Sequence, residues 1–116
     1  MTNRIEAGTI IAGTLRSGDL LEAFSSELET LVKLKQVGLR LLGPLGIPST
    51  YREWTRINIH KSLIYEARTI EPDSEIASEV VNDLQDALNE YAPDGMYFGT
   101  LEGDGADFGW WYVDVE

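Results

Sequence analysis

The sequence predicts an α+β fold, a β-α-α-α-β-β chain whose helices pack on one face of a small antiparallel sheet with a C-terminal hairpin. Three observations carry that expectation. The chain opens on an alternating segment, its middle holds three stretches of helical character, and its end returns to alternation around a turn. At 116 residues, the expectation is one domain, residues 1–116, built on a single core.

Residues 4–15 form the first expected strand. Ile5, Ala7, Ile11 and Leu15 share one face, with Arg4, Glu6 and Thr14 opposite, and a bulge is expected near Gly8 or Gly13. Ser17 and Asp19 then supply start signals for a helix from about 18 to 42. Its buried stripe is Leu20, Phe24, Leu28 and Leu31, flanked by Leu21, Val32 and Leu42. Gly43, Pro44, Gly46 and Pro48 end it, because proline cannot extend the hydrogen-bond ladder.

A second helix is expected from Thr50, where Thr50 and Glu53 have capping-box spacing, to Glu71-Pro72. Trp54, Ile57, Ile64 and Ala67 form its apolar stripe, although residues 55–60 also alternate and compete as a strand. The third helix is the clearest. Asp73 or Ser74 caps it, and Ile76, Val80, Leu84, Ala87 and Tyr91 recur at helical spacing before Pro93. Residues 96–101 and 108–115 are then rich in aromatic and β-branched residues. EGDGAD between them reads as a hairpin loop of about six residues.

Composition excludes several function classes. There is no cysteine and only one histidine, His60, which removes disulfides, thiolate chemistry and most metal and triad sites. No apolar run reaches the ~18 residues that span a bilayer. The start carries Glu6 within its only apolar stretch and is not expected to act as a secretory signal. The expected location is the cytoplasm. A net charge of −11 argues against direct contact with nucleic acid or anionic membrane.

That charge is unevenly placed. Residues 33–68 hold seven bases against Glu53 and Glu66, whereas residues 69–116 hold thirteen acids and no base. Either the basic middle folds back and neutralises the acidic end, or the acidic end serves a partner.

Two segments carry a resemblance. YAPDGMYFGTLEGDGADFGWW (91–111) resembles the C-terminal segment of an uncharacterised family of small prokaryotic and phage-borne proteins, in which YFG leads to a GDG-x-DFG turn and further aromatics. TLRSGDLLEAF (14–24) is similar to their strand-to-helix junction. The resemblance implies a bacterial, archaeal or phage origin and a compact α+β fold, and it implies no reaction.

The most informative candidate site is a row of acids on the third helix: Glu75, Glu79, Asp83, Asp86 and Glu90. At 100° per residue they fall within about 80° of arc, and like charges at this spacing cost a few tenths of a kcal/mol each. They suit a basic partner, with an ordinary solvated face as the alternative. Three carboxylates in Glu102–Asp107 suggest calcium, but the spacing is not that of an EF-hand, and turn chemistry explains Asp and Gly there. Asp107-Phe108-Gly109 matches the kinase magnesium tripeptide in a chain far too short for a kinase. His60 is expected on the surface or in helix packing.

Seven of the eleven aromatics lie between 91 and 112. Alternation places Tyr97 and Phe98, and likewise Trp110 and Trp111, on opposite faces of the hairpin. Helices can cover one face. The other needs the middle segment, a second subunit or a partner.

These features favour a small acidic non-enzymatic binding protein, encoded by a phage or mobile element. It would occupy a basic surface on a host nucleic-acid-binding or defence protein. No cofactor and no metal are expected. The rivals are a metal-dependent phosphoester enzyme and a homo-oligomeric accessory protein, pairing as a dimer through Tyr97, Phe98, Trp110 and Trp111.

Overall fold

In the computed structural model, residues 5–42, 48–72, 74–101 and 103–113 are described. The order is β1 (Gly8–Ala12), α1 (Ser17–Leu42), α2 (Pro48–Thr69), α3 (Glu75–Asn89), β2 (Met96–Leu101) and β3 (Asp104–Tyr112). The strands form one antiparallel sheet in the order β1-β3-β2. This is the α+β architecture that the alternating and helical periods predict.

Helix α1 buries the expected stripe of Leu20, Phe24, Leu28 and Leu31, with Leu21, Val32 and Leu39 beside it. Phe24 is the hinge between layers. Its ring meets Phe98 and Phe108 of the sheet edge-on, with centroids 5.0 and 5.2 Å apart. Residues 55–60 are helical within α2, which settles the competition with a strand. Ile57, His60, Ile64 and Ala67 are its buried positions, and Trp54 packs half-buried against the core. The imidazole thus completes a stripe that the apolar residues alone leave broken.

Several expectations are corrected. The α2 helix starts at Pro48, two residues before Thr50, and proline suits a first helical position because its missing N–H would be unpaired there anyway. Pro48 therefore opens the second helix instead of closing the first. Glu53 is committed to Lys35 Nζ at 2.6 Å, while the Thr50 and Leu42 side chains and residues 43–47 lie outside the described residues. In α3 the buried residues are Ala77, Val80, Val81, Leu84, Ala87 and Leu88. Ile76 is 55% exposed, because at 100° per residue it lies about 80° from the centre of the buried arc and outside its edge. Of the two cap candidates, Ser74 occupies the N-cap position, and Asp73 lies outside the described residues. Tyr91 sits beyond the helix end, half-buried.

The sheet also differs in detail. The first strand is shorter than residues 4–15, and Leu15 is exposed. Its register slips between Thr9 and Ile11, so the bulge falls between the two glycines expected to host it. The hairpin loop is far tighter than six residues. Leu101 pairs with Asp104, and Gly103 adopts φ +92°, a conformation that favours glycine. Asp107 pairs with Ala12 of β1, so a segment that reads as loop gains a ladder partner from the start of the chain. At the open end of the hairpin, β3 stops at Tyr112 and Val113 N–H donates to Gly95 O at 2.7 Å.

Candidate functional site

The acidic row lies on the solvent face of α3. Taking 100° per residue, its centre is about 140° from the centre of the buried arc, so the carboxylates point nearly opposite to the core. Glu75, Glu79, Asp83, Asp86 and Glu90 are all exposed. Among the described residues, no lysine or arginine pairs with the first four.

Glu90 differs from its neighbours. Its carboxylate accepts a hydrogen bond from the Arg56 guanidinium of α2, and its Oε2 lies 3.5 Å from His60 Nε2. Burial pushes the Glu90 carboxyl upward, yet the Arg56 hydrogen bond and the nearby charges of His60 and Arg56 outweigh it, leaving the group below the usual range. The same pairing raises Arg56. Among the described residues, neutralisation by the basic middle therefore operates at this one member of the row. Other middle-segment bases turn elsewhere: Arg68 forks onto Glu29 at 2.9 and 3.2 Å, Lys33 lies 3.8 Å from Glu29, and Lys35 takes Glu53.

His60 is 3% exposed and belongs to the helix-packing alternative. Its Nδ1 shares a 2.8 Å hydrogen bond with Tyr91 Oη. Burial holds the imidazole below its ordinary pKa against the pull of Glu90. The Tyr91 phenol is pushed up to about 12, chiefly by burial and then by the charge of Glu90. At neutral pH the pair is therefore uncharged.

Beside this cluster, α2 and α3 leave a groove of about 350 Å³. Ile59, Leu63 and Ala87 supply its apolar lining, while Glu66, Asp83, Asp86 and Glu90 supply carboxylates next to His60. Sequence reasoning finds the α3 acids but misses the groove. The signal was thin: Glu66 lies six residues after His60, and only helix packing brings either near Asp86.

The aromatic candidates divide by face. Phe98 and Trp110 are each 1% exposed and pack edge-to-face within the core, with centroids 5.0 Å apart. They are not available as interface residues, since alternation aims them at α1. Trp110 Nε1 also donates to Glu27 Oε2 of α1 at 2.8 Å. Tyr97 and Trp111 face the other way, paired across β2 and β3. Each is half-buried and folded onto its own hairpin, Tyr97 Oη donating to Thr100 O at 2.9 Å and Trp111 Nε1 to Gly99 O at 3.0 Å.

In the GDG-x-DFG stretch, Asp107 Oδ1 accepts from Thr9 Oγ1 at 2.7 Å, tying β3 to β1. Glu102 and the Asp104 side chain lie outside the described residues. Among the described residues, no three His, Asp or Glu side chains converge closely enough to hold a metal ion. No described helix is long and apolar enough to cross a membrane. No protein-family model matches this chain, and no curated protein or solved structure is significantly similar to it.

Proposed function

We propose that this chain is an acidic binding module that occupies a basic surface on another protein. One observation carries the reading. Glu75, Glu79, Asp83 and Asp86 form an exposed row on a single helix face, without a described base beside them. Neighbouring like charges three or four apart cost the helix about 0.2–0.5 kcal/mol per pair. A face shaped only for stability would interleave lysines. A row of carboxylates instead complements the lysines and arginines that bind phosphates, so the targets are proteins with nucleic-acid-binding or defence-related basic surfaces. The resemblance read in residues 91–111 implies a bacterial, archaeal or phage origin, and the proposal takes the module to be carried by a phage or mobile element and to act in the host cytoplasm.

The test is affinity capture from a bacterial lysate, comparing low and high salt, with the wild-type chain and a Glu79→Lys/Asp83→Lys/Asp86→Lys variant. The reading expects a basic protein retained by the wild type at low salt, released as the Debye length shortens, and not retained by the variant. Equal retention by both chains would overturn it.

A second reading rests on the outer face of the hairpin. Tyr97 and Trp111 lie opposite the core-facing Phe98 and Trp110 and are half-buried, and a two-fold pairing through them would bury both rings. Light scattering that gives a monomer mass at high micromolar concentration would remove it.

A further inference from the structure

We infer that the α2–α3 groove receives the ammonium head of a lysine side chain presented by the basic partner. The inference rests on the binding reading above and specifies where and how one residue of that partner is held.

The argument starts from His60. Its ring is 3% exposed, Nδ1 is occupied by Tyr91 Oη, and the buried Nε2 has no hydrogen-bond partner. Buried polar atoms without partners are rare in folded proteins, and each calls for an explanation. Nε2 faces the Glu90 carboxylate at 3.5 Å, too far for a good hydrogen bond in either tautomer. When Nδ1–H donates to Tyr91, Nε2 presents a lone pair to a carboxylate. Two acceptors then face each other with no donor between them; in the other tautomer Tyr91 Oη donates to Nδ1, and Nε2–H has only the long approach to Glu90.

The rest of the groove has the same polarity. Glu66, Asp83 and Asp86 bring carboxyl oxygens to it, and among the described residues none has a basic partner. The Ser62 hydroxyl can turn a lone pair inward. A ligand rich in donors and devoid of acceptors fits such a lining, and the lysine ammonium has three donors and no acceptor. The walls select for a stem behind that head. Ile59 is exposed at 52%, and with Leu63 and Ala87 it offers aliphatic surface to a four-carbon chain. Glu90 already accepts from one cationic side chain, Arg56, which lies outside the groove lining.

The test is NMR titration of the full-length labelled chain with a blocked tri-lysine peptide, the same peptide acetylated at every Nζ, and spermine. The expected result is saturable shifts of the His60 ring and of the Ile59, Leu63 and Ala87 amides with tri-lysine, and none with its acetylated form. An Asp83→Asn/Asp86→Asn variant, which changes exposed groups only, should bind about tenfold more weakly while its circular dichroism is unchanged. Shifts confined to Glu75 and Glu79, with His60 unmoved, would overturn the groove while leaving the acidic row as a binding face. Stronger occupation of the same groove by spermine than by the peptide would overturn a protein-borne lysine in favour of a free amine. Absence of saturable binding to every cation tested, together with equal lysate retention by the wild type and the lysine variant, would overturn both readings.

Discussion

Asn89 imitates a neighbouring β-strand for Phe98. Its Nδ2 donates to Phe98 O at 2.8 Å, and its Oδ1 accepts from Phe98 N–H at 2.9 Å. Strand β2 is an edge strand in the order β1-β3-β2, so Phe98 would otherwise present an open backbone donor and acceptor. The second Nδ2 proton goes to Gln85 O at 3.0 Å, which fixes the amide plane within the last turn of α3. One side chain thus closes a sheet edge and sets the position of the helix that carries the acidic row.

Replacing Asn89 by alanine removes both partners of the Phe98 peptide groups. Asn89→Ala should lower stability by about 1–3 kcal/mol, the range for leaving buried polar groups unpaired. Urea unfolding with an unchanged m-value measures the loss, and hydrogen exchange at the Phe98 amide should accelerate locally. A loss under about 0.5 kcal/mol would mean that water replaces the amide without cost.

Gly109 makes a second prediction, at the crossing of β1 and β3. A Cβ built there would lie 2.9 Å from Thr9 Cα and collide with the Gly8 carbonyl, both of them backbone. Gly109→Ala must displace the bulged strand and should cost about 3 kcal/mol, at the upper end for overpacking. Gly105→Ala meets nothing within 4 Å and should change stability by no more than about 0.5 kcal/mol. Similar thermal melts for the two variants would contradict the close approach.

The order of elements is readable because period two and period 3.6 leave different marks along a chain, and the core of α1 follows from its stripe alone. What periodicity cannot supply is a partner. Ile76 belongs by spacing to the same row as Val80 and Leu84, but only the packing of α1, α2 and β2 against α3 decides where the buried arc ends. The stretch Asp104–Asp107 has turn composition and still forms strand, since β1, nearly a hundred residues earlier, pairs with its end. The row of α3 acids is visible in the sequence. The groove is not, because Ile59, His60 and Leu63 reach Asp83 and Asp86 only through helix packing. His60 itself reads as polar, and its burial depends on Tyr91 arriving to share Nδ1.

His60 gives a pH prediction with a definite sign. Burial depresses its folded pKa, while Glu90 opposes that shift and Arg56 adds to it. In the unfolded chain the ring titrates near 6.5. The neutral ring's stabilising contribution is therefore present above 6.5 and is lost as pH falls through the lower folded value. Glu29 and Glu90, both held below the usual carboxylate range, lose their contributions in the same direction at more acidic pH. The His60 ring resonance should titrate below 6.5 in the native chain, and Tyr91→Phe should perturb that titration by removing the Nδ1 partner. A native midpoint above 6.5 would mean that Glu90 dominates.

The acidic row gives the last prediction, which separates fold from function. Glu79, Asp83 and Asp86 are exposed, and the core beneath them is made by Val80, Leu84 and Ala87. In Glu79→Lys/Asp83→Lys/Asp86→Lys, the like-charge neighbours Glu75–79 and 86–Glu90 become opposite-charge neighbours. The pairs 79–83 and 83–86 stay alike with reversed sign. Each reversal of the first kind is worth about 0.2–0.5 kcal/mol, and basic residues toward the helix C-terminus also suit its dipole. Denaturant unfolding should therefore show the variant as stable as the wild type or slightly more so. Its binding to a basic partner should vanish, since attraction at the contact becomes repulsion. Unfolding of the variant would show that these carboxylates hold the chain together. A folded variant that still binds would reduce the row to a solvated surface.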